Sequence, residues 1–205
     1  MKHDCVVGLV GYPGSGKDRL AQELCERHAF TRIAFGDAIK DMMLMLDDRY
    51  LGSRELLEQH KQQGVEDPLR TRVRLQALGE FARRVSPRFW IEAAAAKVPL
   101  SGPVVFTDIR YANEMNWVRD EPDLPGARPD ATIIGIERPG FTAVNGHISE
   151  RNTGDLMLDA DAVVVNDGTV EQMVVFFRSR ESLQYRLARN LDSMLTLFTS
   201  IASTV

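Results

Sequence analysis

The sequence predicts an α/β protein built on a doubly wound parallel sheet. An apolar run, Val6 to Val10, ends in a glycine loop, and a helical pattern follows with Leu20, Ala21 and Leu24 on one face. Further short apolar runs return at 31–35, 103–107, 131–137 and 162–165, giving about five strands. Helical stretches stand between them, and that alternation makes a parallel sheet with helices on both faces.

Composition narrows the class. A chain of 205 residues is long enough for one α/β domain with a substantial core. A net charge of −4 speaks against a surface built for a nucleic-acid polymer. No apolar run is long enough to span a membrane, and the first strand begins almost at the N-terminus, so a cytoplasmic protein with no membrane partner is expected. The two cysteines, Cys5 and Cys25, fall on the first strand and first helix and read as small buried thiols of a reducing compartment.

The first loop, Gly11-Tyr12-Pro13-Gly14-Ser15-Gly16-Lys17, has the spacing of a phosphate-cradling P-loop. Glycines let backbone N–H groups turn inward without a Cβ in the way. The next helix points its positive end at the same spot, and Lys17 adds a mobile charge. The following position usually carries Ser or Thr for Mg²⁺, but here it is Asp18. A carboxylate can hold this hard cation too, although a first-turn acid also suits a helix start without any metal. The three glycines do not make the G-x-G-x-x-G of a dinucleotide site.

After the second strand, Gly36-Asp37 opens a helix carrying Ile39, Met42, Met43 and Leu46. Asp37 suits an N-cap, and it also lies on the strand-end edge where open sheets bind ligands. Ser53 to Gln63 is polar and helical. Arg70 to Val85 is a helix burying Leu75, Leu78, Ala82 and Val85, with Arg72, Gln76, Gly79 and Arg83 aligned on a second face. That face is either solvated or an anion site, and Gly79 favours close approach of something to the helix. Ser86-Pro87 starts another helix, 88–98, in which Trp90 is more often core than ligand contact.

The third strand ends at Asp108, the position of a Walker B carboxylate, with Arg110 and Glu114 at the next helix start. Pro122, Pro125 and Pro129 make 121–130 a loop. Arg138-Pro139-Gly140 follows the fourth strand, and 141–154, with Asn145, His147 and Arg151, reads as a mobile lid or an ordinary surface loop. Asn166-Asp167-Gly168-Thr169 follows the last strand, and the remainder reads as helical. Its stripe of Leu183, Leu187, Leu191, Met194, Phe198 and Ile201 must pack on the body or on a partner, so a homodimer is one expected assembly.

Together these blocks resemble the phage-type deoxynucleoside monophosphate kinases of the P-loop nucleoside monophosphate kinase group. The resemblance rests on GYPGSGKD at 11–18, FGDAIKDM at 35–42, LQALGEFAR at 75–83 and Phe89-Trp90. TDIRYANE at 107–114, ERP at 137–139, HISE at 147–150 and VNDGT at 165–169 continue it. It implies a P-loop kinase fold in a single domain, 1–205, with an acceptor-binding helical region at 36–98, a lid at 138–155 and a C-terminal extension at 181–205. It also implies γ-phosphate transfer from ATP, with Mg²⁺, to a deoxynucleoside monophosphate.

Under this resemblance Gly11, Pro13, Gly14, Ser15, Gly16, Lys17, Asp18, Asn166 and Gly168 hold the donor, and Asp18 and Asp108 the metal. Asp37, Lys40, Arg72, Gln76, Arg83, Trp90, Arg110 and Glu114 form the acceptor set. Lys17, Arg110, Arg138 and Arg151 act on the transferring group. The 121–130 loop and the C-terminal helix depart from the family pattern, as does Arg19 where a small hydroxyl residue is more familiar. A same-fold kinase of dephospho-coenzyme A or phosphomevalonate, or a nucleotide sensor without turnover, are the rival readings. The acceptor-side arginine face argues against the sensor, which needs only one nucleotide site.

Overall fold

The computed structural model describes residues 5–50, 52–63, 68–120, 131–143, 147–166 and 174–177. Its strands are β1 (Val6–Val10), β2 (Thr31–Ile33), β3 (Val104–Phe106), β4 (Ala131–Glu137), β5 (Ala162–Val165) and β6 (Val174–Phe177). They form one sheet in the order β2-β3-β1-β4-β5-β6. β1 runs parallel to β3 and to β4, with Gly8 opposite both Phe106 and Ile133. β4 is parallel to β5, and β6 returns antiparallel to β5. All five residues of β1 are buried, which is why this strand reads as an unbroken apolar run rather than an alternating one.

Helices cover both faces. On one, α1 (Lys17–His28) packs Leu20, Ala21 and Leu24 against Val7, Leu9, Val105, Ile134, Ile136 and Val164. On the other, α6 (Ala112–Asp120) brings Val118 over Gly8, where an added Cβ would lie 2.6 Å from Ile109 and Ile133 and 3.5 Å from Val118. Phe106 and Trp117 meet edge to face at 5.5 Å on this side.

The chain divides into two compact units, one of Ile33–Val98 and one of the flanking segments, Met1–Arg32 with Pro99–Val205. The central unit is helical: α2 (Phe35–Leu46), α3 (Arg54–Gln63), α4 (Pro68–Val85) and α5 (Phe89–Ala95). Its core is Met43, Tyr50 and Leu57, with Leu44, Leu75 and Leu78 packed on them. Pro68 opens α4 at a position where a missing N–H costs nothing. Gly79 is explained within this unit. The Trp90 indole donates to its carbonyl at 2.9 Å, and a Cβ there would stand 3.3 Å from Ile39 and 3.1 Å from the Arg83 guanidinium.

Several expectations change. Phe35 belongs to α2 rather than to β2, and the N-cap is Ala34, which offers no side-chain acceptor. Asp37 therefore sits inside the first turn and is not the cap. Val85, the last residue of α4, is 70% exposed, while Ala82 one turn earlier is buried. The cysteines are half-buried. The expected lid, 141–154, runs into α7 (Ile148–Asp159), which buries Ser149, Glu150, Thr153 and Leu156. That spacing is one helical face, so these residues pack in the body. The His147 side chain caps this helix by accepting from the Ser149 N–H. β6 occupies part of the C-terminal remainder read as helical. The 121–130 loop, Asn145, Gly168 and the 181–205 extension lie outside the described residues. Among the described residues no helix is long and apolar enough to cross a membrane.

Candidate active site

The glycine loop is shaped by close approach. A Cβ on Gly11 would lie 2.5 Å from the Ile136 carbonyl oxygen and 2.7 Å from Ser15 Oγ, so only glycine fits against β4. Gly16 is the N-cap of α1 at φ 105°, a left-handed conformation suited to glycine, and provides no side-chain cap. The turn closes with the Ser15 N–H donating to Tyr12 O at 3.1 Å. Buried Asn166, just past β5, donates its amide to Ser15 O at 3.0 Å and ties the loop to the sheet end. Its conformation is thus set by backbone and neighbours, leaving the amides of the first turn of α1 for an anion.

Lys17 is buried at the start of α1. Its ammonium donates to the Tyr12 carbonyl at 2.7 Å and to Ser15 Oγ at 3.5 Å. Burial pushes its pKa down to about 8, the Arg110 charge acts the same way, and Asp18 and Asp108 oppose them. One neighbourhood therefore gathers Lys17, Asp18, Asp108 and Arg110 from the P-loop, α1 and the end of β3. Beside Asp108, the buried Thr107 hydroxyl has no hydrogen-bond partner among the described residues. Among those residues no group of three or more His, Cys, Asp or Glu side chains is placed to hold a metal. Two carboxylates do suit Mg²⁺, which keeps its waters and takes its other oxygens from substrate phosphates.

Around the loop, the predicted residues divide. Arg138 donates to Gly14 O at 3.2 Å, and its guanidinium lies 4.5 Å from the Phe141 ring centroid. The turn closed by the Phe141 N–H on Arg138 O sets that ring against Gly14, 2.6 Å from where a Cβ would be. Sequence reasoning missed Phe141, whose position depends on this turn. Arg151 is exposed on the first turn of α7. Glu114 is buried, and its carboxylate accepts from the Arg110 and Tyr111 N–H groups at 2.9 and 3.2 Å, which braces the start of α6.

The central unit carries Asp37, Lys40, Arg72, Gln76, Arg83 and Trp90. Trp90 is 1% exposed and fixed on Gly79, so it is core. Lys40 pairs with Glu58 at 2.6 Å and stands 3.7 Å from Asp37. Arg54, which sequence reasoning did not single out, bonds the carboxylates of Asp37 and Asp41. Arg83 lies 3.8 Å from Glu80. Lys61 is a further residue with no sequence signal. Burial lowers its pKa, the charges of Lys40 and Arg72 add to that, and Glu58 opposes it at 3.2 Å.

A buried strand, a closed glycine loop and a lysine at the following helix start define a P-loop protein of the doubly wound α/β class. No family model matches the chain. It is similar to a protein of Acanthamoeba polyphaga mimivirus described as "Putative deoxynucleotide monophosphate kinase", with 27% identity over 187 residues, covering 82% of this chain and 91% of that one. An uncharacterised protein of Ictalurid herpesvirus 1 (strain Auburn) is 30% identical over 177 residues, covering 80% of this chain and 62% of that protein. Among solved structures, TT1252 from Thermus thermophilus aligns over 94% of this chain and 98% of its own, with TM-score 0.41 and 18% identity.

Proposed function

We propose that the protein transfers the γ-phosphate of ATP to a deoxynucleoside monophosphate, giving ADP and the deoxynucleoside diphosphate. The observation that carries this reading is the buried Lys17 ammonium, set in the glycine loop and electrostatically coupled to Asp18, Asp108 and Arg110. The mimivirus relative supports a nucleotide acceptor, and two viral relatives accord with a phage-type enzyme of nucleotide metabolism.

The acceptor phosphate is already an anionic nucleophile near neutral pH, so no general base is required. Catalysis then reduces to alignment and charge neutralisation. The loop amides and the α1 N-terminus hold the donor phosphates. A donor phosphate would draw the Lys17 ammonium from the Tyr12 carbonyl and keep it protonated, so its charge is available where negative charge builds up. Held by Asp18 and Asp108, Mg²⁺ would neutralise further charge on the donor phosphates. Arg110, beside Asp108, is suited to the transferring group, since a guanidinium fork meets two phosphate oxygens at once. Arg72, Gln76 and Arg83 supply an acceptor face on α4, with Asp37 and Lys40 on α2. Substrates are small nucleotides, and the reaction requires neither a membrane nor a nucleic-acid polymer.

The test is ADP release from ATP with and without each common ribo- and deoxynucleoside monophosphate. Release that depends on a deoxynucleoside monophosphate is expected. Release dependent only on dephospho-coenzyme A or phosphomevalonate would assign a different acceptor, and tight ATP binding without release would assign a sensor. On the acceptor side, Arg83→Lys should raise the acceptor KM nearly as much as Arg83→Ala, about ten- to hundredfold, with ATP affinity little changed. Parental kinetics in both variants would return Arg83 to a solvated helix face.

A further inference from the structure

The central unit holds a second basic site that the transfer reaction does not use. A cleft of about 210 Å³, part of it open to solvent, is lined by Arg49, Tyr50, His60, Arg70, Thr71 and Arg74. Three guanidiniums line it, and among the described residues the Asp47 carboxylate pairs with two of them. Arg49 Nε donates to Asp47 at 2.7 Å, and Arg74 lies 3.3 Å from the same side chain. Hydrogen bonding from Arg49 holds the Asp47 carboxyl below its usual range, so it stays charged and the cluster keeps an excess of positive charge. Among the described residues Arg70 makes no ion pair, and it is exposed.

The floor of the cleft is a hydroxyl pair. Tyr50 and Thr71 are 1% and 4% exposed, and their oxygens stand 3.3 Å apart. One hydroxyl hydrogen serves that mutual bond, and the other remains for a further acceptor. His60 stands edge-on to the Tyr50 ring, with centroids 5.6 Å apart. Donors thus converge on the cleft from the short helical turn Asp48–Tyr50, from α3 and from α4. Arg70 and Arg74 are four residues apart and share one side of α4, while Arg72, Gln76 and Arg83 lie on a different side. The enclosed part has room for about one water, so a ligand would meet the cleft as a compact terminal group from its open side.

We infer that this cleft binds a single phosphoryl group, separately from the P-loop and from the Arg72–Gln76–Arg83 face. Guanidiniums match the oxygens of such a group in pairs, and the hydroxyl pair completes the donor set. Its source is either a free phosphate ion or the phosphate tail of a nucleotide acting as an effector.

His60 provides a local reporter. Its ring signals, assigned with His60→Gln, are followed by NMR in the full chain while inorganic phosphate is added, and in a second series a deoxynucleoside triphosphate. A saturable shift of His60 is expected. In Arg70→Glu, where an exposed residue is changed and the fold is retained, the midpoint should move to at least about tenfold higher concentration. Arg74→Gln provides a second variant with the same expected direction. A shift with phosphate alone assigns the free ion, and tighter saturation by the triphosphate assigns the nucleotide tail. His60 signals that stay fixed in both series, or that titrate identically in the parental chain and both arginine variants, overturn the site.

Discussion

The two units of this protein hold the charged groups of their candidate site residues in different ways. In the sheet unit, the P-loop is fixed by backbone. Gly11 fits because its neighbour is a β4 carbonyl, Asn166 holds the Ser15 carbonyl, and the Lys17 ammonium rests on the Tyr12 carbonyl. In the helical unit, charged groups are held by other side chains. Lys61, Glu58, Lys40, Asp37, Arg54, Asp41 and Lys97 form one continuous chain of contacts. That unit also exposes Met45, Leu46, Val73, Phe81 and Val85. A site made from backbone has one arrangement, whereas long paired side chains can repair with different partners. Under the proposed transfer, that contrast would match a donor whose triphosphate is constant and an acceptor that varies.

The largest expected effect breaks the sheet side. Lys17→Ala should lower turnover by about 10²–10³-fold or more, since an electrostatic contact made as charge develops is lost. Its thermal midpoint should stay near the parental value, because a buried ammonium with a lowered pKa is not a source of stability. Near-normal transfer in this variant would remove the P-loop from the mechanism.

Gly11→Ala comes next. The added methyl would meet a backbone carbonyl at 2.5 Å, which cannot rotate away. A stability loss of about 1–3 kcal/mol is expected in denaturant titration, with ATP affinity falling alongside. Unchanged ATP affinity would mean that the loop tolerates displacement and that backbone rigidity is not what defines the sheet side.

A smaller effect sharpens the electrostatics. With Lys17 near pKa 8 in the ligand-free protein, ATP binding should take up a proton between pH 8 and the ordinary lysine value of 10.5, and almost none well below 8. Calorimetry in two buffers of different ionisation enthalpy measures this directly. In the same window the unfolded chain binds more protons than the folded one, so this group makes stability rise with pH from 8 to 10.5. Absence of proton uptake would show that Lys17 is already fully charged before the donor arrives.

The smallest effect lies on the helical side. Lys97 pairs with Asp41 at 3.0 Å with both side chains exposed. Lys97→Ala should change stability by less than about 1 kcal/mol. A loss several times larger would show that the ion pairs of this unit act as one cooperative network, and the contrast between adaptable and fixed sides would weaken.

Much of the sheet unit was legible in the sequence because its signals are local. An apolar run, glycines at fixed offsets and a helix-period face specify β1, the loop and α1 without reference to anything distant, and β4 and β5 fall on the expected 131–137 and 162–165. The helical periodicity of 70–85 likewise marked most of α4.

The tertiary structure decided what depends on partners far apart in the chain. The Glu114 carboxylate folds back on its own helix start, and Trp90 is taken by the Gly79 carbonyl eleven residues away. α7 occupies the end of the expected lid because Ser149, Glu150, Thr153 and Leu156 find a buried surface that no local pattern announces. Asn166 reaches a loop 151 residues earlier, and the Arg49–Arg70–Arg74 cleft exists only once three helical segments meet. Local propensity is a property of a few consecutive residues, whereas the partner of a charged or polar side chain is set by packing, which places distant segments side by side.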